Sequence, residues 1–158
     1  MSKFSLIAMG GTFDIIHHGH ITLLSTAFEI SEKVIIGLTS DEFVQKKGKN
    51  PIHKYDERLK NLTSIIFKKF PNSYFQISQL NNDFGPAVFE KEVQALVVSD
   101  ETKNQGNILN KLRTESNLSP VEIIVVPMTL AKDGKRISTT RIKNSEIDSD
   151  GNLLPIDK

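Results

Sequence analysis

The strongest constraint on the fold is the alternation of short apolar runs with amphipathic segments along the chain. Five short and largely apolar runs have the length and composition of buried strands. They lie at residues 5–9, 33–38, 74–77, 95–98 and 121–126. Between them, apolar residues recur at helical spacing, most clearly over residues 18–30 and 56–70. Strands alternating with helices are typical of βαβ units. The sequence therefore predicts an α/β, doubly wound Rossmann-like fold with a five-stranded parallel sheet.

Length and composition limit the classes of protein that this chain can belong to. Its 158 residues predict a single domain, 1–158, with a polar tail at 149–158 that we expect to be loosely ordered. Cysteine is absent, which excludes disulfides, thiolate zinc sites and cysteine nucleophiles. A net charge of +1 gives no bulk attraction to nucleic acid or to an anionic membrane, and no apolar run approaches the roughly 20 residues of a membrane span. We expect a cytoplasmic protein.

The stretch MGGTFDIIHHGH at residues 9–20 has the most suggestive chemistry. Gly10 and Gly11 let the backbone turn tightly and approach a ligand, and the positive end of the following helix favours an anion. His17 and His20 are three residues apart and should face the same way, so both could donate to phosphate oxygens. A metal site would need a third ligand, and His53, in a basic loop, is a poor candidate, so we predict no metal on these histidines. The alternative is that they only cap the helix or are solvated.

Three strand exits should meet at one edge of the sheet, because ligands in such folds bind beyond the carboxyl ends of the strands. The first strand ends at Gly10, Gly11 and Thr12. The fourth runs into Ser99, Asp100, Glu101 and Thr102, and the fifth leads towards Ser138, Thr139 and Thr140. Hydroxyls and amides at a helix start, with the forked donor of Arg141, can hold the outer phosphates of a nucleotide. An ordinary N-cap is the alternative for this second cluster.

These two motifs together resemble the signature of the H-x-G-H nucleotidyltransferase superfamily. The first is Gly11-Thr-Phe-Asp14 followed by His17-His-Gly-His20, and the second is Ile137-Ser-Thr-Thr-Arg141. Further segments are similar to phosphopantetheine adenylyltransferases of the archaeal and eukaryotic type. They lie at residues 37–43, 55–62, 83–87, 95–102 and 133–142, so the likeness spans most of the chain.

Two departures leave alternatives open. The Ser-Thr-Thr motif also resembles that of glycerol-phosphate cytidylyltransferases and of archaeal-type FAD synthetases. The bacterial phosphopantetheine adenylyltransferases hold the acceptor phosphate with an arginine just after the fourth strand, where this chain has Ser99. Lys46 and Lys47 are the substitutes, unless they belong to a solvated loop. We interpret Arg58 as a residue of the helix surface or a cap rather than a ligand.

The resemblance implies transfer of the adenylyl group of ATP to 4′-phosphopantetheine, giving dephospho-coenzyme A and pyrophosphate. Its implied catalytic residues are His17, His20 and Arg141. The implied ATP-binding residues are Gly10, Gly11, Thr12, Phe13, His20, Ser99, Asp100, Glu101, Thr102, Ile137, Ser138, Thr139, Thr140 and Arg141. Thr12, Lys46 and Lys47 would bind the acceptor phosphate, and Mg²⁺ would arrive with ATP. A related CTP- or FMN-using enzyme and a non-catalytic nucleotide-binding module are the alternatives, and the oligomeric state is open.

Overall fold

The structure, a computed structural model, describes residues 3–88, 90–99 and 102–127. The strands are β1 (Phe4–Gly11), β2 (Ser31–Thr39), β3 (Phe75–Leu80), β4 (Ala95–Ser99) and β5 (Glu122–Val126). The helices are α1 (His18–Ile30), α2 (Asp41–Lys46), α3 (Tyr55–Lys69) and α4 (Lys103–Glu115), with a short 3₁₀ helix at Gly85–Val88. Each of the five predicted strands is present, within a few residues of its expected ends. The helix expected from residue 137 and the tail at 149–158 lie outside the described residues.

All five strands are parallel and lie in the order β3-β2-β1-β4-β5. The chain therefore winds outwards from β1 first to one side and then to the other, and the strand order reverses between β1 and β4. This arrangement confirms the predicted doubly wound α/β fold with a five-stranded parallel sheet.

Alternate residues of the strands pack against helices on opposite faces of the sheet, because side chains of a strand point up and down in turn. Ile7 and Met9 of β1 belong to a core formed with residues of α1 and α3, whereas Ala8 belongs to a core formed with α4. The helical residues are Leu24 and Ala27 of α1, Leu62 and Ile66 of α3, and Leu109 of α4. Among the described residues, no helix is long and apolar enough to cross a membrane.

The sheet opens at its carboxyl edge between β1 and β4. Their pairing includes only Ile7 with Ala95 and Ala8 with Leu96, whereas β1 stays paired with β2 as far as Gly11 and Leu38. The last residues of β1 and β4 therefore diverge at the point where the strand order reverses. A crevice at this position is where doubly wound proteins bind their ligands.

Candidate active site

His17 and His20 cap the start of α1 reciprocally. His17 is the N-cap residue, and its Nδ1 accepts the backbone N–H of Gly19 at 3.1 Å. The backbone N–H of His17 in turn donates to Nδ1 of His20 at 3.2 Å. The two rings stack with their centroids 3.9 Å apart and their planes at 28°. The prediction that these side chains face the same way is confirmed, and the capping role weighed as an alternative is also present.

The caps determine which ring nitrogen carries the proton. A nitrogen that accepts an N–H bond cannot hold a hydrogen itself, so both Nδ1 atoms are unprotonated and both neutral rings carry N–H at Nε2. Capping and phosphate binding are therefore compatible, because they use different nitrogens of the same ring. His18, in contrast, has an exposed side chain.

Phe13 supports this pair from a strained backbone. Its φ of 50° lies in the left-handed region that non-glycine residues seldom adopt, and its side chain is buried. The ring lies 5.0 Å from that of His20, centroid to centroid. On its other side it covers Gly11, where an added Cβ would come within 3.1 Å of the ring. A side chain at residue 11 would therefore crowd the ring of Phe13.

Arg58 is completely buried, so its interpretation as a helix-surface or cap residue is wrong. Its Nη1 donates to the carbonyl oxygen of Thr12 at 3.0 Å, its Nε to the carbonyl oxygen of His53 at 3.1 Å, and its Nη2 to Oδ1 of Asp41 at 2.9 Å. The residue lies on the buried face of α3 with Leu62 and Ile66, at helical spacing. That position on an apolar stripe is the sequence signal that could have identified it.

Two carboxylates hold the segment between α2 and α3. Asp14 accepts the backbone N–H groups of Ile52 and His53, each at 2.9 Å, and the Nδ1 of His53 lies 3.1 Å from the carbonyl oxygen of Asp14. Asp41 accepts the N–H of Tyr55 at 2.9 Å in addition to its bond with Arg58. Partial burial by itself would raise the pKa of Asp41, but these hydrogen bonds and the guanidinium charge bring it below its usual value.

No group of three or more His, Asp or Glu side chains suited to a metal ion occurs among the residues that the structure describes. His53, considered above as a third ligand, is bonded to Asp14 instead. The buried carboxylate of Asp14 and the partly exposed carboxylate of Asp41 have the structural partners described above.

A cavity of about 200 Å³ lies over the carboxyl end of the sheet, on the α4 side. Its polar lining includes the predicted residues Gly10, Gly11, Thr12, Lys47 and Thr102, to which the structure adds Lys49, Asp83 and Gln105. Its apolar lining includes Phe43, Leu80, Phe84, Leu96 and Val98. The site therefore combines an apolar chamber with lysines and a carboxylate.

The glycines of this edge make room for Leu80. A Cβ on Gly10 would lie 3.2 Å from Cδ1 of Leu80, and a Cβ on Gly37 would lie 2.7 Å from its Cγ. Leu80 is itself almost fully buried, and it lines the cavity. The side chain of Leu80 thus packs closely against the backbone of β1 at Gly10 and of β2 at Gly37.

Several of the other predicted site residues do not line this cavity. Lys46 ends α2 with an exposed side chain and does not line the cavity. Ser99 and Thr102 form a turn in which the N–H of Ser99 donates to Oγ1 of Thr102 at 3.1 Å. The His17–His20 pair and Phe13 adjoin Thr12 along the chain but do not line the cavity either. The predictions at 100–101 and at 137–141 lie outside the described residues.

A second buried arginine supports the cavity wall. Arg113 of α4 donates to the carbonyl oxygens of Ala87 at 2.6 Å, Glu90 at 2.9 Å and Ser119 at 2.8 Å. Burial lowers its pKa from the usual arginine value. The sequence analysis missed Arg113, although it shares the buried face of α4 with Gly106 and Leu109.

A model of the cytidylyltransferase-like family matches residues 8–145. The chain therefore belongs to the cytidylyltransferase-like family, and its fold agrees with this class of protein. Two archaeal proteins named phosphopantetheine adenylyltransferase resemble the chain over nearly their whole length. The one from Methanopyrus kandleri is 34% identical over 94% of both chains, and the one from Methanothermobacter thermautotrophicus is 39% identical over 96% of this chain and 91% of its own. The chain belongs to the phosphopantetheine adenylyltransferase family, as its motifs predict.

A solved structure agrees with the fold. A protein of unknown function from Archaeoglobus fulgidus superposes with a TM-score of 0.70, covering 85% of this chain and 100% of its own, at 24% identity.

Proposed function

We propose that this chain transfers the adenylyl group of ATP to 4′-phosphopantetheine, giving dephospho-coenzyme A and pyrophosphate. The observation that carries the proposal is the stacked His17–His20 pair at the start of α1, whose Nδ1 atoms accept backbone N–H groups, so that each neutral ring carries its N–H at Nε2. The sequence identity to phosphopantetheine adenylyltransferases over nearly the whole chain supports the choice of substrates.

The chemistry is a direct in-line displacement. An oxygen of the acceptor phosphate attacks the α-phosphorus of ATP, and the bond from that phosphorus to the oxygen bridging to the β-phosphate breaks, so pyrophosphate leaves. A phosphate monoester is already largely ionised near pH 7, so no strong general base is needed. Catalysis then depends on positioning and on stabilising charge in the transition state. The Nε2–H groups of His17 and His20 supply neutral donors for the α-phosphate and the leaving oxygen.

The cavity suits the acceptor. Its apolar walls fit the uncharged arm of phosphopantetheine, and Lys47 and Lys49 provide positive charge for its phosphate. Thr12, between the histidine stretch and the cavity, would bridge the two substrates. We assign no contact to Lys46, because its side chain is exposed and outside the cavity lining.

ATP would lie along the same edge. We propose that the backbone of residues 99–102 borders the adenine and that Ser138, Thr139, Thr140 and Arg141, after Ile137, hold the β- and γ-phosphates. Mg²⁺ would reach the site bound to ATP, where it neutralises charge on the phosphates. The carboxylates of Asp14 and Asp41 accept hydrogen bonds from backbone N–H groups and from Arg58. These bonds are consistent with a metal that the nucleotide carries, rather than one that these carboxylates bind. With ATP as donor, we expect the reaction to take place in the cytoplasm.

The test is a substrate panel in which pyrophosphate release is measured and products are identified by mass spectrometry. ATP and CTP are each offered with phosphopantetheine, glycerol phosphate and FMN. We expect release with ATP and phosphopantetheine, and a product with the mass of dephospho-coenzyme A. If pyrophosphate is released only with CTP and glycerol phosphate, or only with ATP and FMN, the chain is a related nucleotidyltransferase with that donor and acceptor. Tight ATP binding without release in any combination would indicate a non-catalytic binding module.

A further inference from the structure

Lys47 and Asp83 form an ion pair across the lining of the cavity. The Nζ of Lys47 lies 2.7 Å from Oδ1 of Asp83. Lys47 directly follows α2, whereas Asp83 lies in the connection between β3 and the 3₁₀ helix, and both residues line the cavity. The pair therefore joins two separate segments of the chain at the proposed acceptor site.

Local hydrogen bonds hold the backbone segments that carry Lys47 and Asp83. The N–H of Lys47 bonds the carbonyl oxygens of Phe43 and Val44, at 3.2 and 3.1 Å, and its ammonium lies 4.6 Å from the centroid of the Phe43 ring. On the other side, Oδ1 of Asn82 accepts the N–H groups of Phe84 and Gly85, at 3.2 and 2.6 Å. The turn that carries Asp83 is thus held in shape. These bonds hold the two backbone segments from which the ammonium and the carboxylate extend.

Lys49 differs from Lys47 in this respect. It also lines the cavity, but it forms no ion pair with a carboxylate in the described part of the chain. A phosphate can therefore contact Lys49 without breaking an existing ion pair. To contact Lys47 it must displace the carboxylate of Asp83.

We propose that Asp83 competes with the phosphate of the acceptor for Lys47, and so lowers the affinity of the site for both acceptor and product. This inference rests on the proposed function. A phosphate monoester carries about −1.5 to −2 charges near pH 7, against one for a carboxylate, so it displaces Asp83 when it binds. Adenylyl transfer joins one oxygen of the acceptor phosphate to the α-phosphorus in an anhydride bond, which leaves about one negative charge on the acceptor phosphate. The ion pair between Asp83 and Lys47 then forms again more readily, and this favours release of the product.

The exposure of the pair limits the size of this effect. The side chains of Lys47 and Asp83 are 38% and 51% exposed. An ion pair this accessible to water changes an equilibrium constant by at most about fivefold. Asp83 therefore tunes binding and does not block the site.

A double-mutant cycle tests the competition. The KM for phosphopantetheine and the inhibition constant of dephospho-coenzyme A are measured for the wild type, Asp83→Asn, Lys47→Met and the double variant. We expect Asp83→Asn to lower both constants by about two- to fivefold, and to change neither in the Lys47→Met background. Glu92→Gln is the matched control, because it removes an exposed negative charge from the connection between the 3₁₀ helix and β4, and Glu92 does not line the cavity. It should leave both constants unchanged.

Two results would overturn the inference. One is an Asp83→Asn variant with unchanged constants. The other is an equal decrease in the Lys47→Met background, which would mean that Asp83 acts through general charge rather than through Lys47. Failure of the proposed function is distinguishable, because in that case even the wild type would release no pyrophosphate with phosphopantetheine, and both proposals would fall together.

Discussion

Arg58 donates from Nη1 to the carbonyl oxygen of Thr12 over 3.0 Å, although 45 residues lie between them in the chain. The bond ties α3 to the turn that connects β1 with the capping histidines. Because Arg58 also bonds Asp41 and the carbonyl oxygen of His53, one guanidinium fixes three segments around the site. Arg58 thus holds the backbone that precedes the histidine stretch, although its side chain does not line the cavity.

Replacing Arg58 by lysine should separate this positioning role from charge. The ammonium of Arg58→Lys can keep an ion pair with Asp41 but cannot reach all three acceptors of the planar guanidinium. Loss of one hydrogen bond from a charged group costs about 1.5–3 kcal/mol of folding stability. Because the segment that carries Thr12 also loses its anchor, we expect misplacement of the site to lower kcat by on the order of tenfold. Steady-state kinetics and thermal unfolding are measured together, with the exposed Lys60→Met of the same helix as control. A variant that keeps the wild-type kcat would contradict the role.

His17→Asn should distinguish the cap from the catalytic donor. Asparagine is a preferred N-cap residue, so its side chain can still accept the N–H of Gly19, but it lacks the Nε2–H of the imidazole. We expect thermal stability close to that of the wild type and turnover lower by on the order of 100-fold. His17→Ala should lose turnover and also about 1 kcal/mol of stability. If His17→Asn turns over normally, His17 is a cap and nothing more.

His20→Ala should lower turnover by on the order of 100-fold or more, since it removes one donor for the charge of the transition state. His18→Ala is the matched control from the same stretch, because His18 is exposed and makes no ring contact with the stacked pair. Pyrophosphate release under saturating ATP gives the comparison. Near-native turnover of His20→Ala would remove this residue from the catalytic assignment.

Gly37→Ala should disturb the cavity through Leu80. The new Cβ would lie 2.7 Å from Cγ of Leu80, too close for both atoms to stay in place. Overpacking of this kind typically costs 1–3 kcal/mol, and the displaced leucine should also raise the KM for phosphopantetheine. Urea unfolding of Gly37→Ala, Leu80→Ala and the double variant provides the measurement. The double variant should lose less stability than the sum of the single changes, and strict additivity would argue against the steric contact.

The Asp41–Arg58 pair predicts a pH dependence of stability. The pKa of Asp41 is lowered in the folded state, so the carboxylate stabilises the fold fully above its unfolded pKa, near 3.9, and this contribution is lost as the pH falls through the folded value. The melting temperature of the wild type should therefore exceed that of Asp41→Asn at pH 6, and the difference should narrow below about pH 4. The carboxylate is partly exposed, so the difference should be modest. A constant difference across this pH range would show that the charge of Asp41 is not the cause.

The features that the sequence determined by itself are those that depend on residues close together in the chain. Strand composition and helical spacing predicted the five strands and their parallel arrangement, because these signals depend on residues close together in the chain. The spacing of His17 and His20 predicted that they face the same way for the same reason, and one helical turn does bring their rings into contact. The family followed from two short motifs whose residues need little tertiary information to be recognised.

Tertiary structure alone decided how the site is supported. An arginine in an amphipathic helix is usually solvated, and Arg58 is buried only because acceptors from Thr12, Asp41 and His53 are brought around it. Likewise, nothing near Lys47 in the chain indicates that its ammonium forms an ion pair with Asp83, which is 36 residues away (83 − 47). The charge of Arg58 is buried only because distant segments supply its hydrogen-bond partners. Those partners are known only once the sheet has ordered the segments in space.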